Sequence, residues 1–300
     1  MKKHDPYGPI LKELRTLSDS DDKVTFYESL HKLQPHVSEL RKQYQKSPSK
    51  VDFSDDETRL AYLLTYYPHY IEQIYRVLEN LPEGLLDEYL NRESLRVCFF
   101  GPGPAPEALG LAMFLRDRCP LTTQLTGYLL DKYVDAWRLG QELTRYHLAP
   151  AYWPKGKLVF KPLLFDFQDT RSLRKRSIDQ AIRRSQLLVM QNCLNDQMGN
   201  LKYAQVMAQE IFRRAAPSAV FLISDLDFEK VRDVIGKIER VVTAEKLGKV
   251  ILQVQEEPVD LVSNFVVPQV LREYLFTGEE GKWLTPKKTS KVYFSVLQRM

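Results

Sequence analysis

Along the first 92 residues the apolar positions fall at helical spacing. Leu60, Leu64, Tyr67, Ile71, Ile74, Tyr75 and Leu78 recur every three or four residues, which places them on one helical face. Ser54-Asp55-Asp56-Glu57 supplies capping residues just ahead of that run. Pro68 falls inside it and should kink or split the helix, because it has no N–H to donate. Earlier, Ile10-Leu11, Leu14 and Leu17 predict a short helix, Val24 to Tyr44 a longer one, and Gln45 to Asp52 a loop. From about residue 93 the pattern changes to short apolar runs separated by helix-length polar stretches. The runs are Arg96–Phe100, Leu125–Leu130, Leu163–Phe165, Leu187–Met190, Ala219–Ile223, Val250–Val254 and Val292–Leu297. Such alternation predicts an α/β fold: a mainly parallel sheet with helices on both faces. The chain therefore divides into an N-terminal helical cap, residues 1–92, and an α/β domain, residues 93–300. Ligands of such sheets bind beyond the carboxyl ends of the strands, so residues at strand tips carry the functional reading.

Composition narrows the class. The hydrophobic fraction is 44% and the charged fraction 27%, ordinary for a globular chain. No apolar run approaches the roughly 18 residues of a membrane helix. The opening Met-Lys-Lys-His-Asp-Pro leads into no apolar stretch, so no secretory signal and a cytoplasmic location are expected. Cys98, Cys119 and Cys193 are widely spaced and make neither a disulfide framework nor a zinc cluster. His4, His31, His36, His69 and His147 are scattered, which predicts no metal site. A net charge of +4 excludes a polycation and leaves local basic patches open.

The first strand runs into Gly101-Pro102-Gly103-Pro104-Ala105-Pro106. Two glycines let the backbone turn tightly and let a ligand approach without meeting a Cβ, and Pro106 suits the first turn of a helix. The second strand ends in Asp131, placed to accept from ribose hydroxyls. The third ends in Asp166-Phe167, a carboxylate for an exocyclic amine beside an apolar face for a purine ring, with Asp169 as a rival. The fourth ends in Gln191-Asn192-Cys193, a polar tip where a transferred group and its acceptor would meet. Asn195-Asp196 would cap the next helix. A dinucleotide fingerprint needs glycine where this chain has Pro106, and no Gly-Lys-Ser/Thr follows a glycine turn.

This order of strand-tip residues resembles the class I S-adenosylmethionine-dependent methyltransferases over residues 93–300. The resemblance implies a Rossmann-like seven-stranded mixed sheet whose last strand is antiparallel and inserted between its two predecessors. It also implies S-adenosyl-L-methionine as cofactor, bound by Gly101, Pro102, Gly103, Asp131, Asp166, Phe167, Gln191 and Asn192. Two positions depart from the family: Phe99 stands where an acid often precedes the first glycine, and Ala105 replaces a third glycine. A weaker resemblance in layout, from Thr58 through Leu78 ahead of the glycine turn, is to methyltransferase-like proteins of the small ribosomal subunit. Two functional readings follow: methyl transfer to an acceptor, RNA or a small molecule, or a non-catalytic binding or ribosome-assembly factor that retains the fold.

Several acceptor chemistries are disfavoured. Methylation at carbon 5 of a pyrimidine uses a cysteine after proline, whereas Cys193 follows Asn192 and reads as a buried thiol. No Asp/Asn-Pro-Pro-aromatic motif for exocyclic amines is present at the fourth tip. Between strands three and four, Arg171, Arg174, Lys175, Arg176, Arg183 and Arg184 form a basic cluster. Arg174, Lys175 and Arg176 are the candidate substrate contacts, suited to phosphates. Tyr62, Tyr66, Tyr67, Tyr70 and Tyr75 are candidates for a lid that stacks on a flat acceptor.

Overall fold

The computed structural model describes residues 5–17, 23–46, 51–194, 201–277, 284, 286 and 289–300. The N-terminal region is helical: α1 (Tyr7–Leu17), α2 (Lys23–Lys32), α3 (Gln34–Tyr44), α4 (Asp56–Thr65) and α5 (Tyr67–Leu78). Asp55 caps α4, its side chain accepting from the Thr58 N–H. Pro68 splits α4 from α5, as expected, and sits in the first turn of α5, where a missing N–H costs nothing. The single helix expected over residues 24–44 is instead two, α2 and α3. Pro35 starts the second for the same reason. Residues 47–50 of the expected loop lie outside the described residues.

The α/β part follows as β1 (Ser94–Phe100), α6 (Pro106–Arg118), β2 (Gln124–Asp131), helical turns over 138–152 and β3 (Lys157–Leu164). Then come α7 (Arg176–Arg184), β4 (Leu187–Gln191), α8 (Leu201–Arg214), β5 (Val220–Leu226) and α9 (Glu229–Ala244). The chain closes with β6 (Gly248–Leu252), β7 (Val259–Val262), α10 (Gln269–Tyr274) and β8 (Thr289–Arg299). The main sheet has the order β3-β2-β1-β4-β5-β8-β6. The first five are parallel, and β8 runs antiparallel between β5 and β6. This is the expected arrangement with one addition: β7 pairs antiparallel with the first residues of β8, making eight strands rather than seven.

Side-chain alternation divides the sheet between two layers. Phe99, Leu129, Val189, Leu222 and Val296 belong to one core, shared with α5 and α6 and with the other N-terminal helices. Cys98, Phe100, Leu130, Leu188 and Ile223 belong to the other, covered by α7, α8 and α9. The first core is continuous from Tyr7 to the sheet, so the helical cap and the glycine-turn helix are packed together. Backbone meets backbone at Gly110 of α6, where a Cβ would stand 2.0 Å from the Ile71 carbonyl oxygen. None of the described helices is long and apolar enough to cross a membrane.

Candidate functional site

The tips of β1, β2, β3 and β4 open onto one cleft of about 280 Å³, roofed by aromatic residues of the cap. Its base is the glycine turn. Gly101 and Gly103 both have positive φ, +62° and +53°, which glycine adopts without a Cβ penalty. The turn is held by hydrogen bonds to its backbone. Gly101 N–H donates to the Leu130 carbonyl at 2.7 Å. Gly103 N–H donates to Asp131 Oδ2 at 2.9 Å, while Oδ1 of the same carboxylate accepts from Tyr133 N–H at 2.7 Å. Gln141 Nε2 donates to the Gly103 carbonyl, and the Thr144 hydroxyl to that of Pro104. Ala105 completes the turn at φ +64° and ψ +49°. A left-handed alanine costs roughly 1–2 kcal/mol, so this tightly tied network holds a strained residue.

All eight cofactor candidates line this cleft: Gly101, Pro102, Gly103, Asp131, Asp166, Phe167, Gln191 and Asn192. Three carry more structure than the sequence suggests. Asp131 is buried and already spends both oxygens on backbone N–H groups, so it anchors the glycine turn as well as facing the cleft. Burial raises its pKa, and the hydrogen bonds from Tyr133 and Gly103 oppose that rise. Asn192, at φ +54°, forms a reciprocal amide pair with Gln73 of α5, at 3.1 and 3.2 Å, and Gln73 also donates to the Ser224 hydroxyl. The β4 tip is thereby tied to the cap. Gly103 faces the Trp137 indole, 3.2 Å from where a Cβ would stand, so bulk added there meets tryptophan first.

The rival Asp169 does not line the cleft and instead holds Arg171 at 2.9 Å. Phe99 is a core residue whose ring covers Gly127 of β2, so the position that carries an acid in the family is filled by packing. Cys193 is buried, as expected, with its thiol against the Phe100 carbonyl. Asn195-Asp196 lies outside the described residues. Of the tyrosines, Tyr62 and Tyr70 line the cleft, whereas Tyr67 is buried against Thr144 and Tyr75 packs on Phe114. Arg174, Lys175 and Arg176 are exposed and do not line the cleft; Lys175 reaches the Leu164 carbonyl at 3.3 Å. Among the described residues no cluster of histidine, cysteine and acidic side chains could hold a metal.

Glu107, in the first turn of α6, is the residue that sequence reasoning missed. It lines the cleft, is 5% exposed, and its Oε2 has no hydrogen-bond partner. Gln191 Oε1 is a second buried acceptor in the same cleft without a partner. Burial drives the Glu107 pKa well above the usual carboxylate value, and the Asp131 charge adds to that. The native state thus holds a proton that the unfolded chain releases near pH 4.5, and stability falls as pH rises above that value. Thermal unfolding between pH 5 and 8 should show wild type losing stability more steeply than Glu107→Gln, by up to about 1.4 kcal/mol per pH unit for one proton. Parallel curves would remove Glu107 as the titrating group.

No protein-family model matches the sequence, and no curated protein matches it significantly. Solved structures do match in shape. An O-methyltransferase family protein from Burkholderia thailandensis aligns over 93% of this chain and 73% of its own, at 13% identity and a TM-score of 0.44. A proposed class I S-adenosylmethionine-dependent methyltransferase from Listeria monocytogenes aligns over 98% and 88%, at 11% identity and a TM-score of 0.44. A methyltransferase from Methanosarcina mazei aligns over 72% and 97%, at 14% identity and a TM-score of 0.37. At these scores the likenesses carry no argument of their own. The strand order, with antiparallel β8 between β5 and β6, is the Rossmann-like mixed sheet that the resemblance to class I methyltransferases implies.

Proposed function

We propose that the chain is an S-adenosylmethionine-dependent methyltransferase acting on a small molecule. The observation that carries this reading is the convergence of the glycine turn, Asp131, Asp166-Phe167 and Gln191-Asn192 on one cleft. The residues suit that cofactor, because Glu107 Oε2 and Gln191 Oε1 are buried acceptors without partners, and the cofactor's ammonium would favour ionisation of the Glu107 carboxyl that burial keeps protonated in its absence. When bound, the cofactor supplies a methyl group on a positively charged sulfur, open to displacement. The protein's part is to position and to exclude water. Gly101 leaves room at the turn. Asp131 has lone pairs left for ribose hydroxyls, since a carboxylate offers about four and two are taken. Asp166 and Phe167 stand for the adenine, and Glu107 for the ammonium. Tyr62 and Tyr70 close the roof. Displacement of this kind requires no strong acid or base.

The exposed cations between β3 and β4 favour a second reading, in which RNA is the acceptor. Arg171 is engaged by Asp169 and Arg183 by Asp179, but Arg174, Arg176 and Arg184 carry no ion pair among the described residues. If they contact single-stranded phosphates, binding should weaken with salt at a logarithmic slope near −0.7 per contact. Charge reversal at Arg174, Lys175 and Arg176 should then cut RNA retention on filters and flatten that slope. Equal slopes and affinities in both proteins would exclude the patch from RNA binding.

Incubation with methyl-labelled S-adenosylmethionine and either a low-mass cell extract or total RNA tests the reading. Label in a low-mass product is expected. Label in RNA alone would favour the second reading. Cofactor binding with no transfer to either would favour a non-catalytic factor, consistent with Phe99 and Ala105.

A further inference from the structure

Three carboxyl groups line the cofactor cleft, and they are held differently. Asp131 takes the N–H groups of Gly103 and Tyr133, and Asp166 takes that of Gln168 at 2.8 Å. Glu107 is more than nine-tenths buried, and its Oε2 has no hydrogen-bond partner. The charge it feels is that of Asp131 on β2, of like sign. Lys132, the cation of the cleft wall among the described residues, lies over the Tyr133 ring at 5.5 Å and acts on Asp52 instead.

A buried carboxylate without a counter-charge takes up a proton rather than stay ionised. Burial is the main cause at Glu107; a hydrogen bond from its own backbone N–H opposes it, and Asp131 adds to it. From α5 the facing group is Tyr67, whose buried hydroxyl is bonded to Thr144 at 2.6 Å and kept protonated. Tyr44, Tyr62, Tyr70, Tyr133 and Cys193 are the other titratable groups on the wall among the described residues. An ammonium group entering this space reverses the balance. It brings the opposite charge into a low dielectric, where attraction is strong, and the N-terminal end of α6 also favours the ionised acid.

Resting on the methyl-transfer reading, we infer that Glu107 selects the cofactor's amino group by exchanging its own proton for that ammonium, so that each cofactor bound sends one proton into solution. The carboxyl O–H bond breaks, the proton passes to solvent, and the carboxylate left behind pairs with the ammonium. Gln191, the other unpartnered acceptor of the cleft, is a neutral amide and takes no part in the exchange. Cofactor and demethylated product both carry the amine, so both are held. An adenine nucleoside without it leaves Glu107 protonated and is held less tightly. Affinity for the amine-bearing ligand rises with pH from about 4.5, by up to about tenfold per unit for one proton, until the free Glu107 carboxyl itself ionises.

The test is calorimetric titration of the full chain at pH 6.5, in buffers of different ionisation enthalpy. The ligands are S-adenosylhomocysteine and its deaminated analogue, 5′-S-(3-carboxypropyl)-5′-thioadenosine. S-adenosylhomocysteine should release about one proton per site, seen as a heat that scales with the buffer's ionisation enthalpy. The analogue should bind about tenfold less tightly or worse, with heats independent of the buffer. Glu107→Gln should bind S-adenosylhomocysteine without proton release and with an affinity that no longer rises between pH 5.5 and 7.5. Buffer-independent heats for S-adenosylhomocysteine in wild type would overturn the inference, as would proton release that persists in Glu107→Gln. Should that variant not fold, the analogue decides on wild type alone, since equal proton release by both ligands also overturns it. Binding without proton release leaves the cofactor reading standing and removes the exchange; no binding of S-adenosylhomocysteine at any pH removes both.

Discussion

Asp131→Ala is expected to lower thermal stability and to weaken S-adenosylhomocysteine binding by about tenfold or more, the loss of one charge-assisted hydrogen bond to a ribose hydroxyl. Two backbone N–H groups, those of Gly103 and Tyr133, lose a charged acceptor at once. Hydrogen bonds to a charged group are worth roughly 1.5–3 kcal/mol each, and every 1.4 kcal/mol is about a factor of ten. The raised pKa of Asp131 reflects a desolvation cost that the variant escapes, so the stability loss should fall below the simple sum. The binding loss should not be so offset, because the glycine turn then lacks its anchor. Asp131→Asn keeps one acceptor oxygen and should fall between alanine and wild type. Thermal unfolding and calorimetric titration of the three proteins check the order. An alanine variant that binds like wild type would remove Asp131 from the site.

Gly110→Val should be the most damaging single substitution at the junction of cap and sheet. A Cβ there meets a backbone oxygen at 2.0 Å and Ile74 Cγ2 at 2.4 Å. Backbone cannot rotate aside as a side chain can, so α5 must move off α6. Overpacking typically costs about 1–3 kcal/mol and sometimes more. A loss near 3 kcal/mol corresponds to a melting shift of about 5 °C for a chain of 300 residues. Gly236→Ala in α9 is the control, because its Cβ would meet nothing closer than Val254 Cγ1 at 3.9 Å. That change should stabilise by up to about 1 kcal/mol through helix propensity alone. Equal melting temperatures for Gly110→Val and wild type would mean that the cap does not rest on α6.

Much of this fold could be read from local pattern, and the misses have physical causes. Strands β1, β2, β4 and β5 are buried on both faces, so each shows as an apolar run. Edge strand β3 begins six residues before the expected Leu163, because its exposed positions accept Lys157, Lys161 and even Pro162, which an edge tolerates. Strand β7 has four residues and exposes half of them, leaving no local signal. The cleft was legible at Gly101, Gly103, Asp131 and Asp166 because strand tips position them directly. Glu107 was not. A glutamate in a first helical turn reads as a solvated residue favoured by the helix dipole. Its burial depends on a roof that includes Tyr62 and Tyr70, 45 and 37 positions earlier, which no local pattern records. Trp137 against Gly103 is hidden for the same reason.

Calorimetric titration of the purified chain with S-adenosylhomocysteine, beside NAD, is the most direct test of the central claim. Saturable one-to-one binding of S-adenosylhomocysteine, weakened by Asp131→Ala, with no heat from NAD, is the predicted result. Binding of NAD with no response to S-adenosylhomocysteine would contradict it.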